Sequence, residues 1–204
     1  MEPLLDPRFE SEKQKHAQLL ETAIQQEKID PLMIPFSRFV RETRDYFTTS
    51  TCSGRITLMD LNEDESKKEG AFYRKWHACA KASDVWNAIQ EKKYTGNLWF
   101  KQDAFVYVIG THNHENVKRI FDACQKAGIK RHGIHYEGKG KILIEIFGSQ
   151  AMCVPITNGK DVLVNEAYVK EIVKIGNVKW KRNETKRKEL EKELQKAMKE
   201  TNQK

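Results

Sequence analysis

The sequence predicts an α+β fold in which helices flank a largely antiparallel sheet. Short stretches rich in β-branched and aromatic residues recur between positions 46 and 164, separated by glycine and asparagine turns. Apolar residues at helical spacing precede and follow this region. The helical patterns inside it are too irregularly spaced for regular β–α–β winding, which favours the α+β class. Closure into a barrel, or duplication of a strand-plus-helix unit, stays open.

The chain of 204 residues is long enough for one sizeable domain. We expect a single domain with a helical N-terminal segment (1–45), an α+β core (46–180) and a charged helical tail (181–204). No stretch approaches the roughly 18 apolar residues of a membrane span, and the first residues lack an apolar signal segment. We therefore expect a cytoplasmic protein.

Local signals fix several boundaries. Asp6-Pro7 is an N-cap followed by proline at the first helical position, and a second short helix is expected near Pro35. The stretch YFTTSTCSGRITLMDL is expected to form a strand, a tight turn at Gly54 and a second strand.

Further along, Ser83 and Asn113 are expected to cap helices, and Gly128 to follow the end of the second. LWFKQDAFVYVIGT is expected to be one strand with a bulge near Asp103. Asn158-Gly159 predicts a hairpin, and Glu166 opens a last helix.

The charge balance points to a polyanionic partner. Lysine and arginine number 36 against 29 aspartate and glutamate, a net charge of +7. One basic stretch runs from Lys126 to Lys141 and contains the glycine turn Gly138–Gly140, which allows close approach to an RNA backbone. The charged tail is as well explained by a solvated helix with i,i+4 ion pairs.

The hydroxyl-rich run Thr48–Ser53, followed by Gly54 and Arg55, is the most unusual segment. Hydroxyls, turn N–H groups and a guanidinium bind phosphate, carboxylate or ribose oxygens. The alternative is an exposed strand in which β-propensity explains the threonines. A nucleophilic Cys52, as in a cysteine-dependent hydrolase, lacks a base within the motif.

Cysteine and histidine spacing predicts no metal site, because no CxxC pair occurs and His112-x-His114 lacks a matching third ligand. His77 is compatible with a core position or with an active-site base. Three of the four cysteines have apolar neighbours and are expected to be buried thiols: Cys79, Cys124 and Cys153.

At FTTSTCSGRI the sequence resembles the tRNA wybutosine-synthesising methyltransferase family of archaea and eukaryotes, whose hallmark is Ser-Ser-Cys-Ser/Ala-Gly-Arg-Ile. The similarity continues through His77, FKQDAFVYV and DACQKAGIKRHGI, and ends with CVPITNGKDVLVNEAYVKEIV. It covers most of residues 36–180.

The resemblance implies a non-Rossmann enzyme that methylates N4 of a 4-demethylwyosine-type base at position 37 of phenylalanine tRNA, with S-adenosyl-L-methionine as methyl donor. We expect no metal and infer no obligate protein partner. Ser50, Ser53, Gly54 and Arg55 are then expected to bind the donor, with Arg55 on its carboxylate or on a tRNA phosphate. His77 is the expected general base. Arg131, His132, Lys139 and Lys141 are expected to contact tRNA. The alternative is a non-catalytic RNA-binding module.

Overall fold

A computed structural model describes residues 5–61, 73–76, 79–94, 96–149 and 151–199. The chain divides into two compact units, each assembled from separate pieces of sequence. Unit 1 draws on residues 1–53, 105–149 and 184–204, and unit 2 on residues 54–104 and 150–183.

Helices and short strands alternate irregularly along the chain. The helices are α1 (Pro7–Gln25), α2 (Ile34–Glu42), α3 (Ala82–Gln90), α4 (His114–Lys126) and α5 (Glu166–Lys199), and a 3₁₀ turn spans Pro31–Met33. The strands are β1 (Tyr46–Cys52), β2 (Ile56–Leu61), β3 (Tyr73–Trp76), β4 (Asn97–Gln102), β5 (Val106–Thr111), β6 (Arg131–Gly138), β7 (Lys141–Phe147), β8 (Met152–Pro155), β9 (Thr157–Asn158) and β10 (Asp161–Val162).

Each unit holds one four-stranded sheet. The order is β1-β5-β7-β6 in unit 1 and β3-β2-β4-β8 in unit 2, and every strand pair is antiparallel. Both sheets have two edge strands among the described residues, so neither forms a closed barrel there. The predicted α+β class with antiparallel sheets is confirmed, and the fold is not a Rossmann fold.

Each sheet covers its own hydrophobic core. In unit 1 the sheet packs with α2, α4 and the last part of α5, and the ring of Tyr107 is fully buried among them. In unit 2, α3 and the first part of α5 bury Phe100, Leu98 and Ile56. Alternating burial along β4 and β7 is the strand period expected when one face meets a core.

Several predicted boundaries are confirmed. The carboxylate of Asp6 accepts the backbone N–H of Arg8, 2.8 Å away, and the side chain of Asn113 accepts that of Asn116, also 2.8 Å away. Gly128 follows the end of α4 with φ +68°, where a side chain would be strained. The predicted hairpin is present as β9 and β10, in which Asn158 pairs with Asp161 and Gly159 has a φ of +58° in the turn.

Other local predictions are wrong. Ser83 does not cap α3, because the helix begins at Ala82 and Lys81 occupies the N-cap position without a side-chain hydrogen bond. LWFKQDAFVYVIGT is not one bulged strand but two, β4 and β5, which belong to different sheets. Strands β1 and β2 flank the turn at Gly54 as expected, but they likewise enter different sheets.

The predicted solvated tail is helical, yet one of its faces is buried. Leu190, Leu194 and Met198 recur every four residues, and each is completely buried in the core of unit 1. The segment is therefore part of a packed unit. No helix in the described ranges is long and apolar enough to cross a membrane.

Candidate functional site

A cavity of about 360 Å³ lies in unit 1 between α1 and the hydroxyl-rich strand β1. One wall is formed by the consecutive residues Thr48–Thr51. The facing wall comes from α1 and the segment after it: His16, Leu19, Leu20, Ala23, Lys28 and Ile29. The volume falls within the roughly 300–1,000 Å³ range of small-ligand sites.

A bulge explains how four neighbouring residues of one strand reach the same cavity. Thr48 pairs with Ile109 of β5 and Ser50 pairs with Val108, so Thr49 is an extra residue without a partner in the register. Regular strands point successive side chains to opposite faces. The extra residue breaks that alternation and re-aims the side chains that follow it.

The hydroxyls of this wall are available to a ligand. No described residue forms a hydrogen bond with the side chain of Thr48, Thr49, Ser50 or Thr51. Ser53 differs, because it is buried and its hydroxyl donates to the carboxylate of Asp30. Asp30 also accepts the backbone N–H of Leu32 at 3.0 Å, so this carboxylate ties the end of the hydroxyl run to the 3₁₀ turn.

His16 lines the cavity and is held on two sides. Its ring stacks on that of Phe47, with centroids 5.1 Å apart and planes 9° apart. Its Nε2 lies 3.6 Å from the Glu12 carboxylate, whose same oxygen is 2.6 Å from the Lys141 ammonium. Burial lowers the pKa of His16, and Glu12 offsets that only in part. The imidazole is therefore neutral near pH 7.

Gly54 and Arg55 belong to unit 2, unlike Ser50 and Ser53. Gly54 has φ +79°, which confirms the need for glycine at the turn, and its carbonyl accepts the Trp180 indole N–H at 3.4 Å. The carbonyl of Arg55 accepts the backbone N–H of Asp103 at 2.8 Å.

His77 lies outside the described residues, so its role as general base stays a prediction. The last paired residues of β2 and β3 before it are Ile56 and Trp76. In the sequence, Arg55 precedes Ile56 and His77 follows Trp76.

The basic hairpin of β6 and β7 belongs to unit 1. Arg131 is exposed at its base, with the guanidinium carbon 5.1 Å from the centre of the Phe147 ring. Lys139 is exposed in the turn at φ +51°. The Lys141 ammonium already pairs with Glu12, and this contact lowers the pKa of Glu12. His132 packs on Phe121, and its buried Nδ1 has no hydrogen-bond partner among the described residues.

Two of the cysteine expectations are wrong. Cys79 and Cys153 are exposed, and only Cys124 of the three is buried, which raises the pKa of its thiol to about 12. In the described ranges, no group of three His, Cys, Asp or Glu side chains is placed to hold a metal ion.

Sequence reasoning missed three residues of this region: His16, Lys28 and Asp30. The signal that was present is Asp30-Pro31 after a helix, a pattern that marks a cap and a chain reversal. It gives no information on which strand the reversed chain then meets, because that contact is made only in the folded unit.

Comparison with known proteins identifies relatives along most of the chain. The family described as Methyltransferase TYW3 matches residues 11–196. A Thermococcus kodakarensis protein named tRNA(Phe) 7-((3-amino-3-carboxypropyl)-4-demethylwyosine(37)-N(4))-methyltransferase 1 is 30% identical over 188 residues, 92% of this chain and 94% of that protein. A Xenopus laevis tRNA wybutosine-synthesizing protein 3 homolog is 29% identical over 149 residues, 72% of this chain and 59% of that protein.

A solved structure has the same fold. The PH1069 protein from Pyrococcus horikoshii superimposes with a TM-score of 0.83 at 28% identity, covering 93% of this chain and 95% of that chain. The resemblance that begins at FTTSTCSGRI is thereby confirmed in sequence and in structure. This chain belongs to the Methyltransferase TYW3 family.

Proposed function

We propose that this protein is a tRNA methyltransferase that transfers a methyl group from S-adenosyl-L-methionine to N4 of a 4-demethylwyosine-type base at position 37 of phenylalanine tRNA. The observation that carries the proposal is the match to methyltransferases of this name over nearly the full length of both chains. We further propose that it acts in the cytoplasm without an obligate protein partner.

The residues of the hydroxyl run fit an adenosyl donor. Ser50 offers a hydroxyl with no partner in the described part of the chain, whereas Ser53 is buried and its hydroxyl donates to Asp30. In unit 2, Gly54 has the positive φ that forms the turn, and Arg55 supplies a planar pair of donors for a carboxylate or phosphate. When bound, the donor supplies a methyl group already activated by a positively charged sulfur.

The chain's own residues then hold the reactants in line and accept the proton that N4 loses. His77 is our proposed acceptor, because a neutral imidazole near pH 7 is suited to that task. The assignment rests on sequence alone. A His77→Ala variant that keeps near-normal turnover would contradict it.

We propose that tRNA meets the basic hairpin. The exposure of Arg131 and Lys139 supports phosphate contacts by these two cations. Lys141 contributes less, because Glu12 already neutralises its charge. His132 lies between them on the hairpin and presents an imidazole half-exposed beside Phe121. Position 37 lies in a single-stranded loop, so the enzyme does not need to open a duplex.

Complementation tests the proposal. A strain that lacks its own N4-methyltransferase is supplied with this chain, and nucleosides of its phenylalanine tRNA are analysed. We expect the methylated tricyclic nucleoside to reappear. If the unmethylated precursor persists while purified protein binds the tRNA, the chain is a non-catalytic RNA-binding module.

A further inference from the structure

The cavity between α1 and β1 is lined by hydroxyl groups, by apolar side chains and by one lysine. Together these groups indicate the chemistry of a ligand. The strand side carries four hydroxyls from Thr48 to Thr51, none of which has a side-chain hydrogen bond to a described residue. Thr48, Thr49 and Thr51 are half-buried and Ser50 is exposed, so their hydroxyls are accessible from the cavity. A ligand with several oxygens or N–H groups would satisfy them.

The helix side is apolar. Leu19, Leu20 and Ala23 follow one another at helical spacing along α1, and Ile29 extends the surface beyond the end of the helix. Leu19 is 52% exposed although it is large and apolar. A flat, weakly polar ring placed against this wall would remove that surface from water.

Lys28 is the cationic side chain among the residues that line the cavity. The chain leaves α1 through Glu27 at φ +53°, and the N–H of Lys28 donates to the carbonyl of Ala23 at 2.8 Å. This reversal folds Lys28 back over the helix end and makes it part of the lining. No carboxylate among the described residues pairs with its ammonium. His16, the other titratable group of the lining, is uncharged near pH 7.

We propose that Lys28 binds the carboxylate of the methyl donor at this cavity, with the hydroxyls of Thr48–Thr51 holding its ribose and the apolar face of α1 covering its adenine. The inference rests on the proposed function, since it assigns the donor of that reaction to this cavity. It leaves Arg55 as the partner of a tRNA phosphate.

A small ligand fits these observations better than a strand of RNA. Sites that follow an RNA backbone use a row of cations along a groove. This cavity offers a single cation beside an apolar wall, as small-molecule sites do.

The test compares two nucleosides that differ in the proposed contact. S-adenosyl-L-homocysteine carries the amino-acid carboxylate, and 5′-methylthioadenosine lacks the whole amino-acid end. Binding of each to the full chain is measured by calorimetry for wild type, Lys28→Met and the control Lys118→Met. Lys118 is an exposed lysine of α4 and loses the same charge when it is replaced.

We expect Lys28→Met to weaken S-adenosyl-L-homocysteine about tenfold, as for loss of a charge-assisted hydrogen bond, and to leave 5′-methylthioadenosine unchanged. Lys118→Met should change neither affinity. Thr49→Val, which removes a hydroxyl and keeps the shape, should weaken both nucleosides alike. Circular dichroism confirms that each variant is folded.

Three outcomes would overturn the inference while leaving the proposed function intact. Lys28→Met weakens both nucleosides equally, or it weakens neither, or it reduces tRNA binding and its salt dependence without affecting the nucleosides. If wild type binds neither nucleoside, the choice of donor is wrong and the proposed function fails with it.

Discussion

Gly110 of β5 lies directly against the ring of Phe47, its partner in the register on β1. A Cβ atom at position 110 would overlap the ring of Phe47, which is itself buried. Phe47 in turn carries the stacked imidazole of His16, one of the residues that line the cavity. Because position 110 has no side chain, the ring of Phe47 can lie against it and stack with the imidazole of His16.

Replacing Gly110 by alanine should destabilise the protein by about 1–3 kcal/mol, because overpacking forces the Phe47 ring out of its place. The same change should weaken nucleoside binding through the displaced His16. Urea unfolding and calorimetry measure the two effects. Gly133→Ala is the matched control, since a Cβ there has nothing within 4 Å. Equal stability of the two variants would show that Phe47 moves aside freely.

Asp30 and Ser53 should be energetically coupled. The buried hydroxyl of Ser53 donates to the carboxylate of Asp30, and a charged acceptor makes this stronger than a neutral hydrogen bond. A double-mutant cycle of Asp30→Ala and Ser53→Ala should give a coupling energy of about 1–2 kcal/mol by chemical denaturation. Asp122→Ala, an exposed aspartate of α4, paired with Ser53→Ala should be additive. Additivity of both cycles would contradict the structural role of Asp30.

Arg187 should control how stability depends on pH. Its guanidinium pairs with Glu184 at 2.7 Å and with Glu191 at 2.5 Å, and Glu191 also accepts the hydroxyl of Tyr107. Burial raises the pKa of Glu191, while Arg187 opposes that rise. Burial also acts on Glu184, but its contacts with Arg187 and Lys188 together outweigh burial and hold its pKa below the usual value.

Arg187→Met removes that compensation and leaves two carboxylates beside each other in unit 1. A carboxyl whose folded-state pKa is raised favours folding below its unfolded pKa, and the benefit is lost as pH rises through the folded value. We therefore expect the Tm deficit of Arg187→Met to be larger at pH 8 than at pH 5. The full loss at high pH should be about 3–5 kcal/mol. A Tm difference between wild type and Arg187→Met that does not change with pH would contradict this prediction. It would mean that Glu184 and Glu191 become solvent-exposed in the variant.

The basic hairpin should contribute to tRNA affinity through phosphates. Lys139→Asn removes one charge and keeps a residue that tolerates the positive φ of the turn. We expect it to weaken tRNA binding and to reduce the slope of log affinity against log salt by about 1. Lys141→Gln should change the slope less, because the Lys141 ammonium is paired with Glu12. An unchanged slope for Lys139→Asn would place the tRNA elsewhere.

The parts of the fold that depend on neighbouring residues could be predicted from the sequence. Asp6 and Asn113 cap helices because their side chains reach N–H groups two or three residues away, and Gly128 permits a left-handed end. The hydroxyl run of β1 was likewise visible in the sequence, as was the turn at Gly54.

The rest depends on contacts between distant segments. The strand is interrupted at residues 103–105, and β4 and β5 enter different sheets, but apolar and aromatic residues occur on both sides of the interruption. Which sheet each strand joins depends on the face that the strand buries. The bulge at Thr49 and the approach of Lys28 to it are also set by β5 and α1, which lie elsewhere in the sequence.

The central claim is that this chain methylates a tricyclic tRNA base, and the most direct measurement follows the methyl group itself. The protein is incubated with donor labelled on its methyl carbon and with phenylalanine tRNA that carries the unmethylated base, and the digested nucleosides are analysed. We predict that the label appears on N4 of the base at position 37 and on no other nucleoside. Label on a different nucleoside, or none on tRNA that the protein binds, would contradict the account.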